Sequence, residues 1–389
     1  MSSRQTKVTL APEVLRWARE RASLSHEELA GKVQVKPETV GAWEISGEIS
    51  FAQIDRLAAR TYTPLGFLFL SKPPEEKLPM ADFRTRTGST PRRPSPDLLD
   101  TAYHMKERQA WMRDELIEWG VEPIKGMGAY NLNSDRNEVA EAIGDLLKIQ
   151  GGWAEIEVSL KDALEHLRDR VDAAGILVVF NGVVGNDTHR KLNPDEFQGF
   201  ALFDEYAPLV FVNAADFKAA QIFTLVHELA HLFIGESGLS GFVDLRPGEY
   251  EVEKFCNEVA AEFLVPQKEL VKFWETAHSK KDPYQAVARH FKVSIIVAAR
   301  RAVDLGLADS SAFAQVFSAY KKNKDEVLSR QKGGGDFWNL PQWRIGKEFA
   351  SAVVRATKEG RLPYREAYDL TEIRGDSFDD LVDVLNIQL

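Results

Sequence analysis

The sequence predicts a mainly α protein with a small β-sheet, an α+β class, and three observations carry that expectation. Apolar residues recur at helical spacing through most of the chain, as at Val139, Ala142, Ile143 and Leu146. Runs with strand character are few and short: Gly175–Phe180, Phe197–Asp204 and Pro208–Asn213. Proline and glycine clusters at 72–79, 90–96 and 332–335 cut the chain into segments.

Composition frames the reading. With 389 residues, 44% hydrophobic and 28% charged, the chain is expected to be a soluble globular protein of two or three domains. A net charge of −10 argues against broad nucleic-acid coating, while leaving room for a local basic face. The single cysteine, Cys256, cannot form an intrachain disulfide, which fits a reducing compartment. Met1–Lys7 has no apolar signal core, and no run of 18 apolar residues follows, so a cytoplasmic protein without a membrane partner is expected.

Residues 10–60 read as four or five short helices. Leu15, Ala18 and Ala22 share a face of the first; Ser25 to Glu28 form a capping box for the second; Pro37 opens the third, and Gly47 follows it. This spacing, with Trp43-Glu44 before Gly47, resembles an XRE-type helix-turn-helix. Lys36, Glu38 and Thr39 lie near the start of the would-be recognition helix and are its candidate DNA contacts, though no arginine is there for a guanine edge. Over residues 1–70, nine Lys/Arg stand against eight Asp/Glu, so docking to protein is an equal alternative to DNA. Pro64–Leu70 should pack on this domain.

The prolines from 73 to 97 mark a linker with extended stretches. Asp82-Phe-Arg-Thr85, within it, resembles a segment common in fusions of this helix-turn-helix with a protease, and no chemistry is assigned to it. Helices are expected over 95–119, 136–149 and 159–173, and His104 on the first reads as structural. The three strands follow, with a polar loop at Asn186–Arg190 containing His189. The hairpin of the last two strands is the candidate edge for holding a substrate backbone.

The chain's one His-Glu-x-x-His comes next: His227, Glu228 and His231. Four residues apart on a helix, the two imidazoles face one metal ion, and Glu228 can take a proton from a water held there. Two histidines and a glutamate are costly among Leu225, Val226, Leu229, Leu232 and Phe233 unless something pairs with them. A third ligand is sought on the next helix, Glu251 to Val265. Glu253, Asn257 and Ala260 form a stripe at i, i+4 and i+7: Glu253 as ligand, Asn257 orienting an imidazole, Ala260 allowing close approach. Glu251, Glu258 and Glu262 are its rivals.

His-Glu-Leu-Ala-His together with Glu-x-x-Cys-Asn-x-Val-Ala-Ala-Glu-Phe-Leu-Val-Pro resembles the ImmA/IrrE metallopeptidases, as does the approach through Gly199–Asp204, Pro208–Asn213 and Gln221–Leu225. The strong likeness covers residues 199–266. It implies a zincin-like core binding Zn2+ and a soluble endopeptidase that cuts a regulatory protein, such as a DNA-binding repressor. The resulting division is 1–72 helix-turn-helix, 73–97 linker, 98–330 metallopeptidase domain with a helical lead-in, and 331–389 C-terminal helical extension.

In the glycine-rich loop between the site helices, Phe242 and Leu245 are candidate pocket residues and Tyr250 a candidate oxyanion stabiliser. Helices are expected at 267–277, 283–291, 294–305 and 310–329. Ala286–Arg301 within this run could imitate a second helix-turn-helix, but packing on the site helices is the favoured use. In the tail, Phe349, Val353 and Val354 share a face, and Asp376, Asp379, Asp380 and Asp383 make an acidic end. The rival function is an antitoxin-like or transcriptional regulatory module that binds a toxin or other protein partner, or operator DNA, with little proteolysis. A repressor sensing metal or ligand through the protease fold ranks last.

Overall fold

The computed structural model describes residues 7–82, 93–149, 151–240, 251–330 and 344–385. It is mainly helical with small sheets, as the periodicity predicts. The described chain divides into two compact units, one within Met1–Pro79 and Ser89–Tyr103, the other within Met80–Gly88 and His104–Leu389. No helix among the described residues is long and apolar enough to cross a membrane.

In the first unit, β1 (Lys7–Thr9) pairs antiparallel with β2 (Glu48–Ser50). Around them stand α1 (Pro12–Arg21), α2 (His26–Val33), α3 (Pro37–Ser46) and α4 (Phe51–Thr61). The capping signals work as written: Ser25 accepts from the Glu28 N–H while the Glu28 side chain accepts from the Ser25 N–H. Gly47 closes α3 at φ +73°, where a Cβ would lie 2.1 Å from the Leu10 carbonyl oxygen, so only glycine fits. Leu15, Ala18, Leu29, Val40, Trp43, Ile54 and Leu57 make the core, joined by Leu68 from a 3-10 turn at Leu65–Phe69. Buried Glu44 is clamped by Arg19 at 2.6 Å.

The second unit is built on a five-stranded sheet. Its strands are β3 (Ala81–Asp82), β4 (Leu177–Asn181), β7 (Gly199–Leu202), β8 (Leu209–Asn213) and β9 (Gly238–Ser240), in the order β3-β9-β7-β8-β4. β7 runs antiparallel to both neighbours, while the outer pairs β3/β9 and β4/β8 are parallel. The cross-strand pair Phe200 and Phe211 stacks at 4.9 Å, a contact worth about 0.5–1.5 kcal/mol beyond its burial. Two expectations are corrected. Asn186–Arg190 is not simply loop: Asp187–Lys191 forms β6, paired with β5 (Val183–Val184), and His189 is exposed on it. Nor is the β7/β8 hairpin a sheet edge, because β9 and β4 flank it and take up its outer hydrogen bonds.

The helices of this unit are α5 (Pro96–Glu118, from His104 on), α6 (Arg136–Leu147), α7 (Leu160–Ala173), α8 (Lys218–Phe233), α9 (Glu251–Leu264), α10 (Gln267–Ala277), α11 (Pro283–Phe291), α12 (Ile295–Asp304) and α13 (Ser310–Arg330). The last three are α14 (Lys347–Lys358), α15 (Tyr364–Thr371) and α16 (Asp376–Leu385). α8 packs on β7, β8, α7 and α9, and α6 packs on α9. The segment at 286–301 serves as packing: Arg301 donates to the Val265 carbonyl and pairs with Glu262 at the end of α9. Phe349, Val353 and Val354 are buried together, with Phe349 edge-on to Trp111 of α5. Asp376, Asp379, Asp380 and Asp383 lie on the exposed face of α16.

Candidate metal centre

α8 is apolar nearly all round and buried from Gln221 to Phe233, so it is a core helix, and its three ionisable residues there, His227, Glu228 and His231, have been carried into the interior. Its start is tied down by Gln221, whose side chain donates to the carbonyls of Ala214 and Asp216. Its end is closed by N–H groups from a neighbouring loop: Gly128 donates to the Leu232 carbonyl and Tyr130 to the Phe233 carbonyl. Gly128 and Gly235 both have positive φ, and a Cβ on Gly235 would lie 3.3 Å from the Gly128 Cα. That close approach fixes the last turn, and His231 with it.

His227, Glu228 and His231 are fully buried, and Glu253 of α9 is 8% exposed. The Nε2 atoms of the two histidines are 3.1 Å apart. Glu253 places Oε1 3.0 Å from His231 Nε2 and Oε2 3.4 Å from His227 Nε2. Among the described residues these three form a group able to hold a metal ion. The rival carboxylates are placed elsewhere: Glu258 pairs with Arg136 and Glu262 with Arg301, while Glu251 is exposed.

The donor set fits a cation. Bonds of about 2.0–2.2 Å in tetrahedral arrangement put neighbouring ligands about 3.3–3.6 Å apart; the contacts here, with each histidine facing a different Glu253 oxygen, fall in or just below that range. Charge states agree. Burial holds His227 below its ordinary pKa, against the pull of Glu253, and a neutral imidazole is the ligating form. Burial alone would raise Glu253, but its contacts with the two histidines outweigh it and hold the carboxyl down at about 2, so a charged carboxylate stands beside the His227 imidazole. Such a donor set suits a divalent transition-metal ion.

Glu228 differs from Glu253. Burial and then the neighbouring Glu253 charge push its pKa well above the ordinary value. The Ser240 hydroxyl approaches and favours the ionised form, yet neither Glu228 oxygen reaches a full hydrogen bond among the described residues. Gly199 makes room for it: a Cβ there would lie 3.1 Å from Glu228 Oε1. Ser240 Oγ is also 3.2 Å from His227 Nε2. Neither Ser240 nor Gly199 is singled out by the sequence as a site residue, since only the β7/β9 ladder brings them here. The residue pair Ser240↔Gly199 in that ladder is the signal that could have found them.

The remaining candidates are placed as follows. Asn257, one turn beyond Glu253, sets its side chain against His227 and supports that ring's charged form. Ala260 is fully buried on the same helix. Tyr250, Phe242 and Leu245 lie outside the described residues. In the first unit, Lys36 is the N-cap of α3; Lys36 and Glu38 are exposed and Thr39 half-buried. His104 belongs to a different cluster, with its Nδ1 3.2 Å from Glu372 Oε1.

No curated protein and no solved structure matches the chain. Two family models do. Residues 345–383, which hold the three C-terminal helices, match a domain of unknown function, DUF8813. Residues 171–303 match the IrrE N-terminal-like domain of peptidase M78, and the whole His227–His231–Glu253 cluster, with Glu228 and Ser240, lies inside that stretch, so the likeness to a metallopeptidase family falls on the part of the chain that builds the site.

Proposed function

We propose that the chain is a zinc-dependent endopeptidase whose substrate is a regulatory protein such as a DNA-binding repressor. The observation that carries this reading is the convergence of His227, His231 and Glu253 donor atoms into one group able to hold a metal ion, with Glu228 beside them. The match of residues 171–303 to a peptidase family supports it.

When bound, zinc supplies a Lewis acid that polarises a peptide carbonyl and lowers the pKa of water. His227 and His231 would hold it through Nε2 and Glu253 through its carboxylate, with the Asn257 side chain bonded to the His227 ring. Glu228 is the proton carrier. Buried beside the cluster, Glu228 would as a carboxylate accept a proton from water and then pass it to the leaving amine.

A second reading is favoured by one observation: His227, Glu228 and His231 are at 0% exposure, and of the four residues Glu253 alone, at 8%, reaches the surface. It is an antitoxin-like or transcriptional regulatory module in which the four-helix N-terminal unit acts as a helix-turn-helix, binding a toxin, another protein or operator DNA, with little cleavage. Both readings place the protein in the cytoplasm.

One experiment separates them. Tagged wild type and Glu228→Gln are recovered from the native cell, and captured proteins are sized by mass spectrometry, with a chelator-treated control. A partner intact on the variant but shortened with metal-loaded wild type establishes the peptidase. A partner intact on both overturns it in favour of binding.

A further inference from the structure

A concave face lies away from the metal cluster, where the C-terminal end of α9 meets α6, α10 and α11. It holds a cavity of about 660 Å3, a size typical of ligand pockets. The floor is apolar and buried: Ala140, Trp153, Phe263, Leu264 and Phe291. Glu253 and Phe263 are separated by about 15 Å along α9, at 1.5 Å of rise per residue, so this cavity is distinct from the candidate metal centre.

The rim carries one sign of charge. Five carboxylates line the cavity, Glu141, Asp145, Glu155, Glu262 and Glu269, against Lys268. Glu262 pairs with Arg301, and Glu155 with His290 at 3.2 Å, while Glu141, Asp145 and Glu269 have no ion pair among the described residues. Glu141 and Asp145 stand one turn apart on α6, where like charges oppose each other. Burial first, and then the Glu155 and Glu262 charges, hold the Glu269 carboxyl above its ordinary pKa. A negative rim over an apolar floor is complementary to a cation on an aliphatic stem.

Beside the cavity, the stretch from Trp153 to Leu160 raises Ile156 and Val158 into solvent, at 74% and 92% exposure. This stretch is pinned. Glu155 pairs with His290, Glu157 lies 2.6 Å from His166 Nδ1, and Ser159 opens α7 with a capping box closed by Asp162. Apolar groups presented on a pre-ordered stretch lose little freedom on binding. The rim would repel an anionic lipid surface, and also the same face of a second copy. The occupant that fits both the charge and the apolar groups is a basic segment of a protein.

We propose that this face is a docking surface for a basic amphipathic segment of a protein partner. A lysine or arginine of the segment enters the cavity, and its apolar side chains rest on Ile156 and Val158. The inference goes beyond the endopeptidase reading and does not require that the bound segment be cut.

The test uses full-length, metal-loaded protein carrying Glu228→Gln, so that cleavage cannot be mistaken for release. The probe is a labelled peptide of leucine and lysine at helical spacing, with leucine/glutamine and leucine/glutamate counterparts, and binding is read by fluorescence anisotropy. Asp145→Asn with Glu269→Gln alters the cavity, and Ile156→Ser with Val158→Ser alters the apolar stretch beside it. Asp380→Asn with Asp383→Asn removes the same charge from the exposed face of α16. Thermal midpoints equal to the parent's confirm that each variant is folded. The leucine/lysine peptide should bind best, and more weakly as salt rises. Each of the first two pairs should weaken it about tenfold, and the α16 pair less than about twofold. An equal loss from the α16 pair would mean general attraction to an acidic protein and overturns the site. Loss from only one of the first two pairs, or equal binding of the leucine/glutamine peptide, overturns the basic amphipathic partner. No binding of the leucine/lysine peptide overturns the docking surface altogether.

Discussion

Ser240 Oγ stands 3.2 Å from His227 Nε2, although one residue ends a strand and the other lies in the middle of a buried helix. The sheet makes the contact: Ser240 is opposite Gly199 in β7, and Gly199 presents no side chain towards Glu228. A Cβ on residue 199 would lie 2.5 Å from Thr224 Cγ2, 2.8 Å from the Phe211 carbonyl oxygen and 3.1 Å from Glu228 Oε1. Neither a ladder carbonyl nor a core helix yields easily, so Gly199→Ala is expected to cost about 1–3 kcal/mol by overpacking. Ser240→Ala adds no bulk; it should leave the unfolding midpoint nearly unchanged and weaken metal binding about tenfold. Urea unfolding and competition against a chromogenic chelator measure the two effects. A Gly199→Ala midpoint equal to wild type would mean that the site has slack.

The parts of this site that are local in sequence are legible in it, and the parts made by long-range pairing are not. His227 and His231 meet because four residues return to the same face of one helix. Glu253 follows from the stripe it shares with Asn257 and Ala260. What removes its rivals, Arg136 beside Glu258 and Arg301 beside Glu262, depends on helices packed from both sides of the sequence. Ser240 reaches the cluster only through the ladder with Gly199, across the whole of α8. The β7/β8 hairpin reads as two short apolar strands around a turn, but the pattern within a strand does not name the strands that will flank it. β9 and β4 enclose it, one from after the site helix and one from before the hairpin. The helices were the easier part, since their capping boxes and apolar faces are encoded within each segment.

Glu372 ties the C-terminal helices to α5 and should make that attachment sensitive to acid. Its Oε1 is 3.2 Å from His104 Nδ1 and its Oε2 3.1 Å from Arg108 Nη2, while Arg108 Nε also donates to the Leu370 carbonyl. Burial alone would raise the Glu372 pKa; the His104 hydrogen bond and the Arg108 charge outweigh it and hold the carboxyl below its ordinary value. A carboxylate lowered in the folded state contributes stability above its unfolded pKa of about 4.3, and the contribution is lost as pH falls through the folded value. Glu372→Gln, which leaves buried Arg108 without its counter-charge, should therefore cost about 3 kcal/mol at pH 7. The gap between variant and wild type should close in more acidic buffer. Urea midpoints followed from neutral pH downwards test this, and a gap that does not narrow would show that the charge on Glu372 is not what holds the tail.

Asp172 gives the opposite sign on the same tail. It lies at the end of α7, near Glu348 in the first turn of α14. Burial first, and then the Glu348 charge, push its carboxyl up to about 6, against the Glu348 backbone N–H, Arg168 and Lys347. A folded state that holds a proton more tightly than the unfolded chain is most stable below the unfolded pKa, and that advantage is lost as pH rises through about 6. A shift of this size corresponds to at most about 3 kcal/mol. Asp172→Asn keeps an oxygen to accept from the Glu348 N–H and cannot ionise. It should match wild type in acid and exceed it by about 1–3 kcal/mol at neutral pH, with thermal unfolding as the readout. A variant less stable than wild type at neutral pH would mean instead that ionised Asp172 is needed as a charged cap on α14, and that its attraction for the helix start outweighs both burial and Glu348.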